Sequence, residues 1–392
     1  MSNTETFSNW ENLVKKQLKT DDIYTILKKE NLEGIDVKPF YNDVPKPLVN
    51  LPKVEESTHL VATYHETLEE DVFAFLLNEN VENLVETTVF INNKALAEHI
   101  SPEDEDQYFS LIDVFDEKNA VIDDQLVKEL LAKNFKRNIC VDLSLHQNAG
   151  ASIIQQLGIA LAKTKELLEV YGEEILNKIL FRIAVGGNYF FEMAKVRAFK
   201  LVINQLSKEY GLDDIPYIFA ETSLRNKSVS DSENNLIRST LELAAAMIGG
   251  ADAVFSTNYQ IENNTENSEE ISFKQQIVLA YESIINVFED ASNGSYYVED
   301  VTKQIAEKSW QFFLEIEETG GYLESLKQGI LQKKIYDHAV EEQKWVEEGK
   351  IKLIGVNLYP KLEVKKPAEE LYNEKEIKAV RWAEMFEKVS HR

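Results

Sequence analysis

The chain has 392 residues, which allows two or three small domains or one large barrel with extensions. Its 42 basic and 68 acidic residues give a formal net charge of −26, which nucleic-acid phosphates and anionic lipid surfaces would repel. A hydrophobic fraction of 44 % excludes a wholly disordered chain. The single cysteine, Cys140, excludes a disulfide framework and a zinc site built from cysteines.

The amino terminus and the apolar runs argue against export and against a membrane span. The first ten residues are polar and lack a basic start followed by an apolar stretch, so no signal peptide is expected. A transmembrane helix needs about 18 or more consecutive apolar residues, and no stretch approaches that length. The sequence therefore predicts a globular protein of the cytoplasm.

Residues 1–52 are predicted to form an N-terminal arm. Apolar residues at helical spacing predict a short first helix with one apolar face, formed by Trp10, Leu13, Val14 and Leu18. The helical period is lost after residue 31, and three prolines then favour an extended chain, namely Pro45, Pro47 and Pro52. Such an arm cannot bury its own apolar side chains, so it must lie on the body of this chain or of another one.

From about residue 58, short β-rich runs alternate with helical segments. Seven runs predict strands, over 59–65, 83–91, 108–115, 138–145, 179–187, 217–223 and 253–259, and an eighth strand is not located. The clearest helices are predicted over 153–169, 189–206 and 234–247, the last with an inner face of Leu236, Ile237, Thr240, Leu241, Ala244 and Ala245. Because this alternation is typical of parallel βαβ units, residues 53–360 predict a (βα)₈ TIM barrel of the α/β class.

The C-terminal part of the chain is predicted to be mainly helical. A helix from about Glu299 has an apolar stripe and ends at Gly320-Gly321, as a glycine cap would end it. Residues 351–360 predict one more short strand, and residues 361–392 form a charged C-terminal extension with a helical pattern near Trp382.

Nucleotide and metal motifs are not found. No GxGxxG follows a strand and no GxxxxGK[ST] occurs, so the sequence supports neither a dinucleotide site nor a phosphate-binding loop. His65-Glu66 begins an HExxH pattern, but Glu69 stands where the second histidine would be. No metal site is expected there.

A few titratable residues lie at or near the predicted carboxyl ends of strands, where barrel enzymes have their active sites. His146 is the best placed for acid–base chemistry, although a hydrogen-bonded loop histidine is the simpler interpretation. Asp142 and Arg182 are charges within strands, and either could line the barrel, face the helices or pair internally. Glu221 could serve a site or cap a loop, and Cys140 is expected to be core.

Seven segments match those of one known family in order and spacing, namely LEGIDVKPFY (32–41), QNAGASIIQQLGIALA (147–162), NYFFEMAKVRA (188–198), the segment 222–251, GSYYVE (294–299), TGG (319–321) and IGVN (354–357). They resemble segments of the methylmalonyl-CoA mutases, which are adenosylcobalamin-dependent isomerases. Each segment alone is weakly specific, but seven in order make the resemblance specific.

The departures from this family fall at the reacting centre. Its catalytic chain has a histidine three residues before a Thr-Ser pair, and Phe219 stands there in this chain. Ser256 and Leu145 replace two further histidines of that chain. A phenyl ring can neither donate a hydrogen bond to a thioester carbonyl nor transfer a proton. Residues 44–56 replace the segment that handles acyl-CoA, and the cobalt-ligating D-x-H-x-x-G motif is absent from the sequence.

The resemblance therefore implies the small, β-type subunit of a heterodimeric mutase, with a barrel but no cobalamin-binding domain, and without catalytic, cofactor or metal-binding residues. It implies that adenosylcobalamin is held by a large catalytic subunit, which interconverts methylmalonyl-CoA and succinyl-CoA and which this chain supports. The N-terminal arm would embrace that subunit. Phe219, if it points inward, would partly fill the channel that takes the CoA pantetheine in the catalytic barrel.

Two alternatives remain open at this point. The chain could be the substrate-binding barrel of an acyl-CoA mutase whose cobalamin domain is on a separate chain, with His146, Glu221 and Arg182 as its candidate site residues. It could also be an acyl-CoA-binding or chaperone-like barrel without a mutase partner.

Overall fold

The computed structural model describes residues 3–41, 51–64, 74–79, 81, 87–101 and 105–387. The strands in these parts of the chain are β1 (His59–Thr63), β2 (Ala74–Leu77), β3 (Thr88–Ile91), β4 (Tyr108–Ser110), β5 (Phe115–Asp116), β6 (Val121–Ile122), β7 (Ile139–Asp142), β8 (Ile179–Val185), β9 (Tyr217–Thr222) and β10 (Ala253–Phe255). β5 and β6 form a short antiparallel hairpin. The other eight strands are parallel neighbours in the order β4-β3-β2-β1-β10-β9-β8-β7.

The two outer strands of this sheet meet, so the sheet closes into a TIM barrel. Beside β4 and β7, parallel bridges join Phe109 to Arg137 and Asp113 to Cys140. The described part of the chain contains this barrel with its helices and extensions and shows no cobalamin-binding domain. The predicted fold class is confirmed.

The helices in the described residues are α1 (Asn3–Leu18), α2 (Ile23–Leu27), α3 (Lys94–Ala97), α4 (Asp124–Leu131), α5 (Ser144–Asn148), α6 (Ile153–Tyr171), α7 (Tyr189–Glu209), α8 (Glu233–Gly249), α9 (Glu266–Ile277), α10 (Tyr296–Glu318), α11 (Tyr322–Lys327), α12 (Ile330–Glu347) and α13 (Ala368–Leu371). A π-helical turn, Val278–Glu282, continues α9, and 3₁₀ turns span Glu105–Gln107, Glu173–Lys178 and Trp382–Met385. α6, α7, α8 and α9 follow the strands of the second half of the barrel, and α10 packs on α6 and α7.

All seven predicted runs contain a strand, but some extend beyond it. β4 ends at Ser110 within the run predicted over 108–115, and β10 ends at Phe255 within the run predicted over 253–259. The unlocated eighth strand is β2, a continuous buried run without the alternation that marks a half-buried strand. Ser144 begins α5, so the strand predicted over 138–145 ends earlier, at Asp142. Residues 351–360 form turns with one isolated bridge, from Ile354 to Leu358, and not a strand.

The predicted inner face of α8 is wrong in part. Ile237 and Leu241 are exposed, whereas polar residues of the same helix, including Ser239 and Glu242, are buried. The Glu242 carboxylate is buried because it accepts a 2.6 Å hydrogen bond from Lys227 Nζ. Apolar periodicity cannot reveal an inner face that a buried ion pair occupies.

The root of the N-terminal arm lies on the body of this chain. Ile35 belongs to the main core, and the Asp36 amide donates a 2.8 Å hydrogen bond to Gln304 of α10. The Glu33 carboxylate accepts from the Ile153 amide at 2.9 Å, at the start of α6. The predicted extended chain includes two prolines, at positions 45 and 47, that lie outside the described residues. The division of the chain into residues 1–52, 53–360 and 361–392 stays a prediction.

The lumen of the barrel is filled with apolar side chains. Successive side chains of a strand point to opposite faces, and one set of strand residues forms a cluster separate from the core under the helices. This lumen cluster comprises Val61, Ala74, Leu76, Phe90, Phe109, Leu111, Cys140, Leu180, Tyr217, Phe219 and Ala253, with Phe255 packed against it. Cys140 is core, as expected.

Four aromatic rings fill the centre of the lumen. The centroid of Phe90 lies 5.0 Å from those of Phe109 and Phe219, and Phe109 lies 4.7 Å from Tyr217. Rings at these separations are in contact. Phe219 therefore points inward and is fully buried, and the barrel axis is a packed core.

We expect Phe219→Ala to lower the free energy of unfolding by about 3–5 kcal/mol, because it leaves a cavity that the surrounding strands cannot close. The matched control is Phe190→Ala, whose ring is 48 % exposed and whose loss should cost less than about 1 kcal/mol. Urea unfolding of both variants measures the difference. Equal losses would contradict a packed lumen.

Candidate functional site

Three charged side chains close the carboxyl end of the lumen. Asp142, Arg182 and Glu221 each lie two residues beyond a lumen residue of their own strand, so they share its inward direction. Arg182 donates to Glu221 Oε2 from Nε at 2.9 Å and from Nη2 at 2.5 Å, and Nη1 donates to Asp142 Oδ2 at 3.4 Å. The predicted residues Arg182 and Glu221 are thus brought together, and Asp142 joins them.

The charges of this cluster stabilise one another. Burial lowers the pKa of the Arg182 guanidinium, but Glu221 and Asp142 outweigh that effect and raise it. Burial also raises the pKa of Glu221, and the charge of Arg182 opposes the increase. Both carboxylates contact Arg182, so its positive charge is compensated and the cluster presents no free cation.

The neighbouring polar groups at this end are also paired. Thr222 Oγ1 accepts from the Thr257 amide at 2.9 Å, and the two threonine hydroxyls lie 2.7 Å apart. Ser256 Oγ donates to the Thr257 carbonyl at 3.3 Å. With its donors used and its lumen filled, this end of the barrel does not fit an acyl-CoA threaded along the axis or a cofactor that reacts with one there.

His146 belongs to a second group, outside the lumen. It is fully buried on α5, and its Nε2 lies 3.1 Å from Tyr322 Oη. Tyr322 donates its own proton to Glu117, so His146 Nε2 is the donor in the bond to Tyr322. The structure does not bring His146 together with Arg182 and Glu221 by a hydrogen bond. Leu145, beside it, is half-buried and can take no part in proton transfer.

A buried lysine organises this second group, and the sequence analysis missed it. Lys163 Nζ donates to Asp113 at 2.7 Å, to Glu117 at 2.9 Å and to the Asp142 carbonyl at 3.2 Å. It also lies 4.6 Å from the centroid of the Phe115 ring. The signal that could have found it is a lysine directly after an apolar helical run, LGIALA (157–162).

A cavity of about 530 Å³ lies outside the lumen, between the arm, the loops after β8 and β9, and α12. Three of its charged lining residues have partners in the chain. Glu33 accepts from the α6 amides, Arg225 Nη2 lies 2.5 Å from Glu342 Oε2, and His338 Nδ1 donates to the Gly150 carbonyl at 2.7 Å. These contacts join the arm and the C-terminal helices to the barrel.

Neither a membrane helix nor a metal cluster is found in the described ranges. No helix there is long and apolar enough to cross a membrane. No group of three or more histidine, cysteine, aspartate or glutamate side chains there could hold a metal ion. The incomplete HExxH pattern at His65 lies outside the described residues.

We expect Arg182→Gln to lower the free energy of unfolding at pH 8 by about 3–5 kcal/mol, because it leaves the buried Glu221 carboxylate without its counter-ion. The loss of unfolding free energy in Arg182→Gln should become smaller as the pH is lowered from 8 to 5. Burial raises the pKa of Glu221, so the folded state takes up a proton at a pH where the unfolded state does not. Urea unfolding at both pH values measures this.

The control is the double variant Arg182→Gln/Glu221→Gln, which removes the unpaired Glu221 charge and should regain part of the stability at pH 8, because Asp142 still loses its longer contact with Arg182. A loss in Arg182→Gln that does not change with pH would contradict the pairing.

We expect His146 to destabilise the fold in acid. Burial lowers its pKa to about 4, whereas an unfolded histidine titrates near 6.5. Between these values the unfolded state binds more protons, so the stability contributed by His146 falls by up to about 3 kcal/mol as the pH drops from 6.5 to 4. Burial raises the pKa of Asp113 to about 6, which acts with the opposite sign in an overlapping window.

The difference between wild type and His146→Gln separates the two effects, because both proteins retain Asp113. Relative to the variant, the wild type should lose stability steadily over this range in denaturant titrations. If the unfolding free energies of wild type and His146→Gln changed in parallel with pH, His146 would not be a buried neutral imidazole.

Comparison with known proteins gives consistent matches. The family model described as Methylmalonyl-CoA mutase matches residues 131–392. The methylmalonyl-CoA mutase small subunit of Porphyromonas gingivalis is 34 % identical over 228 residues, 54 % of this chain and 37 % of that protein. The probable methylmalonyl-CoA mutase small subunit of Mycobacterium bovis is 28 % identical over 241 residues, which are 58 % of this chain and 39 % of that protein. The 2-hydroxyisobutanoyl-CoA mutase large subunit of Aquincola tertiaricarbonis is 27 % identical over 255 residues, which are 60 % of this chain and 45 % of that protein.

The chain spans between about a third and just under half of the length of these relatives. The family model covers more than half of the chain, and the barrel agrees with the fold that the motifs predict. The chain belongs to the methylmalonyl-CoA mutase family.

Proposed function

We propose that this chain is the non-catalytic small subunit of a methylmalonyl-CoA mutase. In this proposal a large adenosylcobalamin-dependent subunit interconverts methylmalonyl-CoA and succinyl-CoA, and the present chain supports it in a heterodimer. The observation that carries the proposal is the filled lumen. Phe219 occupies the position of the family's histidine, and its ring packs against Phe90 inside the barrel.

The chemistry of the remaining groups supports the same assignment. A phenyl ring supplies neither a hydrogen bond nor a proton to a thioester. Arg182 and Glu221 neutralise each other, and His146 is buried beside Tyr322 away from them. The relatives named small subunits support the assembly, and the cofactor is proposed to be bound by the large subunit and not by this chain.

The structure of the N-terminal arm supports a role for this chain in assembly with a large subunit. Its root is fixed to the barrel, and its first two helices keep apolar side chains in water, namely Leu13, Leu18, Tyr24, Ile26 and Leu27. A ring stack of Trp10 on Phe40, with centroids 5.0 Å apart, ties α1 to that root. We infer that the arm contacts the large subunit, which would cover these side chains.

A cytoplasmic location is part of the proposal. Cys140 is a buried free thiol, and burial raises its pKa, so it is an inert core residue. A chain with one unpaired thiol suits a reducing compartment.

The alternative is the substrate-binding barrel of an acyl-CoA mutase whose cobalamin domain is a separate chain. The similarity to a 2-hydroxyisobutanoyl-CoA mutase large subunit favours it. The filled lumen counts against it, because that role needs room for an acyl-CoA in this barrel. The two proposals assign the substrate to different chains, so they can be separated by reconstitution.

We expect the purified chain, given adenosylcobalamin and methylmalonyl-CoA, to form no succinyl-CoA. Mixed with the large mutase subunit of the same cell, it should form a one-to-one complex that turns over. The large subunit alone is the control. Turnover by this chain alone, or with a cobalamin-binding chain that has no barrel, would contradict the proposal and favour the alternative.

A further inference from the structure

The cavity of about 530 Å³ beside the N-terminal arm has no part in the proposed function, and we call it the arm cavity. A face of α12 forms part of its wall, because His338, Glu342 and Trp345 follow each other at helical spacing and all line it. Residues 29–33 of the arm and the loop 186–188 between β8 and α7 line it as well. Its volume lies in the range of about 300–1,000 Å³ that is usual for small-molecule sites.

Part of the lining of the arm cavity is apolar. Phe191, Ile153 and Leu353 line it and are buried. The rings of Trp345 and Trp382 line it and are half-buried. Such a surface fits the apolar side chain of a small ligand.

The arm cavity also contains a carboxylate without a cationic partner. Glu33 accepts hydrogen bonds from the amides of Ile153 at 2.9 Å and Ile154 at 3.3 Å, but it forms no ion pair with a described residue. Burial raises the pKa of Glu33 and the charge of Glu192 adds to the increase, while His338 and the two amides oppose it. An ammonium group of a ligand would supply the missing positive charge.

His338 offers a second acceptor. Its Nδ1 lies 2.7 Å from the Gly150 carbonyl, which can only accept, so Nδ1 carries the proton. In the neutral ring Nε2 is then an acceptor, and it is buried without a hydrogen-bond partner among the described residues. A buried acceptor without a partner lowers stability, and a bound N–H group would offset that cost.

Trp382 offers an unused donor. Its Nε1 is buried and has no hydrogen-bond partner in the part of the chain that the structure describes. Trp345, in the same lining, already donates its Nε1 to Glu341 at 3.1 Å. An indole N–H can only donate, so Trp382 requires an acceptor. Lys29 and Lys352 of the lining are exposed, form no ion pair with a described residue and add positive charge.

These unused groups together select a zwitterion. Glu33 and Nε2 of His338 would accept from an ammonium group, whereas Trp382 and the two lysines favour a carboxylate. A simple anion would meet the uncompensated charge of Glu33, and a simple amine would leave Trp382 without an acceptor. An acyl-CoA has no ammonium group, so it does not match this set.

We propose that the arm cavity binds a free α-amino acid with an apolar side chain. Its ammonium group contacts Glu33 and His338, its carboxylate contacts Trp382, and its side chain lies on the apolar part of the lining. Because the arm and α12 both contribute, the ligand would tie the arm to the barrel. The site lies outside the lumen and does not depend on the proposed function, so either can fail without the other.

The test is titration calorimetry of the full chain with L-leucine and L-phenylalanine at pH 8. We expect saturable binding of at least one of them, with a Kd of about 1 mM or below. Two analogues of the tighter ligand, one without the amino group and one without the carboxylate, should each bind at least about tenfold more weakly, because each loses charge-assisted hydrogen bonds. No saturable binding of either amino acid, or equal binding of either analogue, would overturn the proposal.

Two tryptophan variants form a matched pair for the carboxylate end. Trp382→Phe removes the unused N–H and keeps a ring, so it should weaken binding of the amino acid at least about tenfold and leave binding of the analogue without a carboxylate unchanged. Trp345→Phe removes an N–H that Glu341 already satisfies, so it should change the affinity less than about threefold. Equal losses in the two variants would contradict the contact with Trp382 and overturn the proposal.

Glu33→Gln tests the ammonium end, because it removes the charge and keeps an acceptor for the α6 amides. It should weaken binding of the amino acid at least about tenfold and should not weaken binding of the analogue without an amino group. Urea unfolding of each variant shows whether the fold is kept, and Trp382→Phe keeps the proposal testable if Glu33→Gln does not fold. A folded Glu33→Gln variant that binds as tightly as wild type would overturn the proposal.

Discussion

Inside this barrel, Phe90, Phe109, Tyr217 and Phe219 meet with ring centroids 4.7 to 5.0 Å apart. Small parallel barrels are stable when side chains fill their lumen, so this packing supports the fold. It also removes the space that a ligand on the barrel axis would need. Because an interior at close-packed density does not open without large cost, we propose that no acyl-CoA reacts in this lumen.

The charged groups follow from this constraint. Arg182 sits where the packed lumen ends, and two carboxylates satisfy it at the low dielectric of that position. Lys163 is likewise held by Asp113 and Glu117 beside the Phe115 ring. Both groups are closed networks that anchor loops to strands.

The sequence predicted the barrel because strands and helices alternate with clear periods. It placed Arg182 within a strand and Glu221 near a strand end, but left open what each contacts. It could not predict β2, which has no alternation, or the inner face of α8, where Glu242 is buried with Lys227. The sequence analysis missed the Lys163 group for a different reason. Its members Asp113, Lys163 and Tyr322 are far apart in the chain, and only the fold brings them together.

The central claim is that the lumen of this barrel has no room for substrate. Calorimetric titration of the isolated chain with methylmalonyl-CoA tests it most directly, because it needs neither partner nor cofactor. The account predicts no saturable heat up to about 1 mM ester, the upper end of ordinary substrate affinities. Saturable binding at micromolar concentrations that Phe219→Trp abolishes would place a CoA ester inside the lumen and contradict the account.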